Sequence, residues 1–355
     1  MLMILQHMID FEILDKICKT PGTSGYEKRI RDLVIELATP LCDELQVDAM
    51  GNVLAIKKGK KDKRAMAAAH MDEIGFIVTH IDEEGFIRFH TLGGFDPKTL
   101  TSQRVIVHGK KDIIGVMGTK PIHIMRPEER SKVVPISDYF IDTGMSKKQV
   151  EKYISLGNAI TREREMIEMG DCINSKSLDN RISVYILLKT LEALKGKTIP
   201  YDFYATFTVQ EEVGLRGAIS SAGHVDPDFA FGLDVTIAYD VPGAQPHEMI
   251  TRLGHGTAIK VMDGSTICDY RMVDYMKKTA DKAKIKWQAE ILPKGGTDTA
   301  GLQRYGKKGA IAGAISIPLR NMHQTIEMVN KKDVEASIKL LVACVKGLDK
   351  YKWDF

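Results

Sequence analysis

The stretch "NRISVYILLKTLEALKGKTIPYDFYATFTVQEEVGLRG", Asn180 to Gly217, carries the rhythm that decides the fold. Its first half repeats apolar residues at helical spacing, and "YDFYATFTV" then runs aromatic and β-branched, so a helix feeds a strand. Downstream the pattern continues with "DFAFGLDV" as strand, "YRMVDYMKKTADKA" as helix, "KWQAEILP" and "GAIAGAISI" as strands, and "KKDVEASIKLLVACVKGLDKY" as helix. Strand and helix in alternation predict an α/β sheet covered by helices. Upstream, "YEKRIRDLVIELA" reads as a helix, and "GNVLAIKKG" and "RAMAAAH" read as strands. Between these halves the texture changes. "IGFIVTHIDEEGFIRFHTLGGF" and "RVIVHGKKDIIGVMG" are short alternating strands broken by Asp, Gly and Lys turns, which predicts a small all-β unit. A β-only block between two α/β blocks reads as an insertion, with a discontinuous catalytic domain over residues 1–72 and 165–355 and an inserted domain over 73–164.

The 355 residues carry 50 basic and 47 acidic side chains, a net charge of +3 that points to neither a nucleic-acid nor a membrane partner. Cys18, Cys42, Cys172, Cys268 and Cys344 are odd in number and scattered, which argues against a disulfide framework or a cysteine zinc site and suits a cytoplasmic protein. The N-terminal "MLMILQHMIDFEIL" is apolar but interrupted by His7, Asp10 and Glu12, so it reads as a helix with one apolar face rather than a leader.

The quoted strand ends in two adjacent carboxylates, Glu211 and Glu212, with Gly214 just beyond. Neighbouring acids repel and resist desolvation, so the pair needs water or a strong cation. Four further clusters stand where a predicted strand stops or a helix starts: "HMD" with His70 and Asp72, "LDNR" with Asp179, "GLDVT" with Asp234 and "NMHQT" with His323. Strand ends of an open α/β sheet face one crevice, so such clusters can converge. Imidazole and carboxylate are the donors a borderline cation such as zinc takes when thiolates are absent. The set counts out for two cations: Asp179 as bridge, His70 and Asp234 completing one site, Glu212 and His323 the other, with a shared water between. Glu211, left over at the centre, is placed to activate that water as general base. Asp72 would sit behind His70 and hold its imidazole N–H. Taken singly each residue has an ordinary role: His70 or His323 as a packed histidine, Asp179 as a helix N-cap, Asp234 as a turn residue. Jointly they argue for a metal centre. Other chemistries fail on their spacing. "HEMIT" at His247 lacks the second histidine of a zincin helix, because Thr251 stands there, and "GHG" at Gly254 lacks the third glycine of a dinucleotide loop.

With these residues in view, the chain resembles the tetrahedral, or TET-type, aminopeptidases, also labelled glutamyl aminopeptidases, of the co-catalytic metallopeptidases. The resemblance runs in order through "PGTSGYE", "HMDEIGF", "LDNR", "QEEVGLRGA", "GLDVT", "GGTDTA" and "PLRNMHQ". It implies a zinc-exopeptidase-like mixed sheet flanked by helices, and a barrel-like insertion that serves for dimerisation. It further implies peptide substrates trimmed from the N-terminus, two zinc or cobalt ions per subunit, and dimers assembling into a tetrahedral dodecamer. The same metal ligands follow from it, His70, Asp179, Glu212, Asp234 and His323, with Glu211 as base. A cis bond between Asp179 and Asn180 is expected by the same resemblance. Two positions depart from the family pattern: Asn180 replaces a second aspartate, and Gln324 replaces a serine after the last ligand. The alternative activities are a dinuclear carboxypeptidase or deacylase, and an endoglucanase, a label some relatives carry.

Overall fold

The computed structural model describes residues 9–354, so the first eight residues of the apolar N-terminal stretch lie outside the described part. Asp10 accepts the Ile13 N–H and starts α1 (Phe11–Lys19), and α2 (Lys28–Ala38) follows. The chain then enters β1 (Glu44–Val47), β2 (Val53–Lys57) and β3 (Lys61–His70). Next come β4 (Gly75–Ile81), β5 (Ile87–Leu92), β6 (Arg104–His108) and β7 (Asp112–Gly118). The short helix α3 (Pro127–Arg130), β8 (Phe140–Asp142), the short helix α4 (Lys147–Glu151) and β9 (Ala159–Arg162) complete this segment. The C-terminal half runs β10 (Ile167–Met169), β11 (Cys172–Ser175), α5 (Leu178–Leu194), β12 (Tyr201–Thr208), α6 (Arg216–Val225) and β13 (Phe229–Ile237). It ends with β14 (Thr257–Met262), α7 (Tyr270–Ala283), β15 (Trp287–Ile291), α8 (Thr299–Arg304), β16 (Ile311–Arg320), β17 (Glu327–Asn330) and α9 (Lys331–Gly347).

Eleven strands form one mixed sheet in the order β1-β2-β12-β3-β13-β16-β17-β11-β10, with β14 beside β16 and β15 beside β14. Its centre is parallel: β12, β3, β13 and β16 all point the same way. Parallel strands are buried on both faces, and the alternation within "RAMAAAH" shows how. Ala65, Ala67 and Ala69 join the large core with α5 and α9, while Met66 and Ala68 turn to a smaller, alanine-rich core under α6 and α8. Small side chains let those two helices come close. A Cβ at Gly217 would lie 2.4 Å from Val209 O and from Asn52 Oδ1, so only glycine fits where α6 crosses the end of β12. The composition reading missed α6 and α8 because "RGAISSAGHV" and "TAGLQR" are glycine- and serine-bearing, and close packing rather than propensity holds them.

β4, β5, β8, β7, β6 and β9 close into a barrel. It has its own core of Phe76, Val78, Ile87, Val105, Val107, Ile141 and Ile160. The expected fold, a helix-flanked mixed sheet with a small β barrel set between its strands in the chain, is the one observed. A bidentate pair fastens the two parts on one flank, where Arg29 of α2 donates through Nη1 and Nη2 to Asp112 of β7 at 2.6 and 2.9 Å. Among the described residues no helix is long and apolar enough to cross a membrane.

Candidate metal centre

The C-terminal ends of the parallel strands define one crevice, and local backbone breaks bring the side chains into it. β3 stops at His70, paired in register with Thr208, where β12 stops. Glu211 and Glu212 thus lie beyond the strand rather than within it. There the chain turns through Gln210 at φ 54° and Gly214 at φ 124°, a left-handed path that glycine accepts readily. This turn frees the two acids from the strict alternation of a strand, so both reach the same crevice. Asp234 sits inside β13 opposite Ser316 of β16. Asp179 opens α5 with extended φ/ψ of −80° and 104°, and the Asp179–Asn180 peptide is cis. β16 and β17 form a hairpin, Arg320 opposite Met328, and His323 occupies its tip at φ 62°.

The side chains meet around Asp179. Its Oδ1 lies 3.3 Å from His70 Nε2, and its Oδ2 lies 3.3 Å from His323 Nε2. His70 Nε2 is also 3.7 Å from Glu211 Oε2 and 3.8 Å from Asp234 Oδ1. On the other side, Glu212 Oε2 is 3.5 Å from His323 Nε2. Donor atoms of His70, Glu211 and Asp234, and likewise of His70, Asp179 and Glu212, fall within 4.8 Å of one another, the spread of a coordination shell. All six residues singled out as ligands or base therefore converge.

Asp72 faces both His70 and the acid pair. The imidazole Nδ1 of His70 is 3.1 Å from the main-chain oxygen of Asp72 and 3.4 Å from its carboxylate. That nearer carbonyl can only accept, so Nδ1 donates its N–H to it and Nε2 is left to offer its lone pair to a cation. The carboxylate also accepts the N–H of Glu211 at 3.0 Å, the N–H of Glu212 at 3.2 Å and the Ser24 hydroxyl at 2.7 Å. Asp72 is thus the clamp of the acid pair. Sequence spacing placed it behind the histidine but could not show the long-range contact to residues 211 and 212.

Electrostatics mark the centre as built for positive charge. Burial, reinforced by Asp179, pushes the Glu212 carboxyl up to about 8. Burial likewise raises Asp234 to about 8, Asp179 adding to it and His70 opposing, and lifts Glu211 well above the carboxylate range. Burial alone would depress His70, yet Glu211, Asp179, Asp72 and Asp234 around it carry it well above an ordinary histidine. Desolvation also opposes the charged form of His323, but the Asp179 hydrogen bond and Glu212 raise it to about 10. Glu212 Oε1 is buried with no hydrogen-bond partner among the described residues. Such a concentration of buried carboxylates is costly unless cations neutralise it, and the nitrogen and oxygen donors fit zinc-like ions.

Other buried groups escaped the sequence reading. Glu73, fully buried, accepts Lys176 Nζ at 2.6 Å and faces Arg181 Nη2 at 3.5 Å beneath the start of α5. Asp298 accepts the Thr208 hydroxyl, and burial lifts it to about 6. "GGTDTA" hinted at Asp298, and nothing local hinted at Glu73. Arg320 is occupied by Asp240 through two 2.7 Å contacts.

Residues 51–340 match the model of the M42 glutamyl aminopeptidase family. The chain belongs to this family. It is 33% identical over 353 residues to the glutamyl aminopeptidase of Lactococcus lactis, covering 96% of this chain and 98% of that one. The structure of an aminopeptidase from the archaeon Desulfurococcus kamchatkensis superposes with a TM-score of 0.90 at 39% identity, covering 94% of both chains. The TET1 peptidase of Pyrococcus horikoshii, which assembles into a tetrahedron or a large octahedral shell, matches with a TM-score of 0.85 at 31% identity, over 94% of this chain and 98% of that one. Membership makes the protein a metal-dependent aminopeptidase, a hydrolase, and the endoglucanase label belongs to a more distant neighbour, a Thermotoga maritima structure at 28% identity with a TM-score of 0.77, over 94% of this chain and 96% of that one.

Proposed function

We propose that the centre works as a co-catalytic pair of sites that releases N-terminal residues from peptides. His70 and Asp234 would hold one cation, Glu212 and His323 the second, and Asp179 would be shared between them. The observation that carries this reading is the placement of the two Asp179 oxygens, each 3.3 Å from a different imidazole. Zinc or cobalt fits the donors. When bound, such ions supply Lewis-acid activation of water and of the scissile carbonyl. Glu211 accepts a proton from the attacking water and passes it to the nitrogen of the leaving peptide, as that C–N bond breaks and the carbonyl carbon gains the hydroxyl. Asp72 keeps Glu211 and Glu212 in place by holding both backbone N–H groups.

Residues 73–164 form the inserted domain and carry dimerisation. The barrel exposes Ile114 at 62% and Val116 at 48% on β7, with Ile122 and Ile124 nearby at 59% and 67%, an apolar surface suited to a second copy. Assembly of such dimers into a tetrahedral dodecamer follows the resemblance to the TET1 peptidase, whose solved forms include a dodecamer and a tetrahedron. All five cysteines are unpaired, which suits a cytoplasmic setting.

Glu211→Gln tests the mechanism. Turnover of an aminoacyl chromogenic substrate should fall by about 10²–10⁴-fold while cation stoichiometry stays at wild type. Turnover surviving that change would exclude Glu211 as the base.

A further inference from the structure

His323, unlike His70 and Asp234 in their strands and Asp179 in α5, has no regular element to hold it. It stands at a hairpin tip with φ 62°, a left-handed backbone that residues with a Cβ disfavour, so its conformation has to be imposed from outside. Two buried side chains do so. Glu327, 1% exposed at the start of β17, accepts the His323 N–H on Oε1 at 2.9 Å and the Asp179 N–H on Oε2, also at 2.9 Å. Arg162, 3% exposed and the last residue of β9, donates from Nη1 to the His323 carbonyl at 2.9 Å.

We infer that Arg162 and Glu327 are positioning residues which clamp the His323 peptide from both sides and so set the second cation position. The inference rests on the two-cation reading above. One carboxylate ties Asp179 to His323 through their backbones, so the bridging ligand and the hairpin ligand cannot drift apart independently. The guanidinium is fixed in turn. It lies 5.4 Å over the Phe95 ring, and although burial opposes its charge, the carboxyl groups of Glu327, Glu73, Glu212 and Asp179 favour it. Its Nε and Nη2 are buried with no hydrogen-bond partner among the described residues, so that field and the His323 carbonyl hold it. Phe95 and the preceding Gly94 belong to the barrel segment, and a Cβ at Gly94 would lie 3.6 Å from His323 Nδ1. The barrel therefore shapes one half of the centre directly. The His70 half receives nothing comparable from it, since His70 sits in β3 and Asp72 anchors its ring.

Equilibrium dialysis of the full chain against cobalt(II), with metal analysis, separates the halves. In Arg162→Met and Glu327→Gln the first cobalt should bind as in wild type and the second about 10–100-fold more weakly. Arg162→Lys, which keeps a donor, should fall between. Far-UV circular dichroism and melting temperature report folding; should Arg162→Met fail to fold, the other two variants carry the same readout. Two cobalt ions bound at wild-type affinity in the folded variants would overturn the clamp. A raised KM for peptide with unchanged cobalt binding would also overturn it, because the guanidinium would then be serving substrate. A wild-type chain that takes up only one cobalt would instead overturn the two-cation reading itself.

Discussion

The two ends of Asp179 meet the same kind of ligand in two different structural settings. His70 ends a central strand flanked by parallel neighbours, and its side chain is 1% exposed. His323 rides on a hairpin tip and its side chain is 32% exposed. One ligand is placed by main-chain sheet pairing, which the whole core enforces. The other is placed by two side chains, one of which comes from the barrel. The first half is hard to move without unfolding the sheet, whereas the second can be altered by single substitutions far away in sequence. A site built this way has a rigid side and an adjustable side.

The comparison can be broken most severely at its pivot. Asp179→Ala removes the proposed bridge between the halves, and dialysed protein should retain no cation in either. The value of kcat/KM should fall by at least about 10³-fold, some 4 kcal/mol of transition-state stabilisation, read in a steady-state assay. Retention of one tightly held ion would show that the halves are more independent than the bridging geometry implies.

A second change attacks the support beneath the pivot. Glu73→Ala leaves Lys176 and Arg181 buried without their carboxylate, and should cost about 3–5 kcal/mol in urea denaturation. A loss under 1 kcal/mol would mean that water or another acid replaces it. The asymmetry itself is read by comparing His70→Ala with His323→Ala in cation-free protein. The former opens a fully enclosed polar position and should cost about 1–3 kcal/mol; the latter, only partly enclosed, should cost at most about 1 kcal/mol. Equal melting shifts would erase the distinction drawn above.

The smallest effect concerns the flank of the barrel. Asp112 is held down to about 2, chiefly by its hydrogen bonds to Arg29, with burial opposing and His108 helping. Because the folded value lies below the unfolded one near 3.9, the stabilisation is present above about pH 4 and is lost as pH falls toward 2. The Arg29 and Asp112 side chains are 50% and 40% exposed, so Arg29→Ala should cost at most about 1 kcal/mol near pH 6. Its melting temperature should converge with wild type as the buffer is taken below pH 4, and a gap that persists there would assign the effect to packing.

Much of this architecture was legible because periodicity reports burial directly. The alternation after Asn180 announced a helix-covered sheet, and the two-residue rhythm around "GFIRFH" announced the barrel strands. The six candidate ligand and base residues were legible because acids and histidines at element ends have few structural reasons to be there. What stayed hidden was everything whose meaning depends on a distant partner. Glu327 follows His323 by four residues and resembles any strand-starting acid, yet its role lies in the N–H of Asp179, 148 positions away. Arg162 ends an ordinary barrel strand. The spacing of Asp72 shows its neighbour His70 but not the acid pair that its carboxylate also holds.

The packing of so many acids around Asp179 has a consequence outside catalysis. A native state whose interior concentrates this much negative charge is incomplete on its own, and ions that bind it but not the unfolded chain must stabilise it by mass action, about 2.7 kcal/mol at a hundredfold excess over the dissociation constant. Durability and activity then draw on the same supply. When divalent ions become scarce, the molecule loses thermal resistance along with turnover, so its lifetime becomes a record of the metal available where it was made.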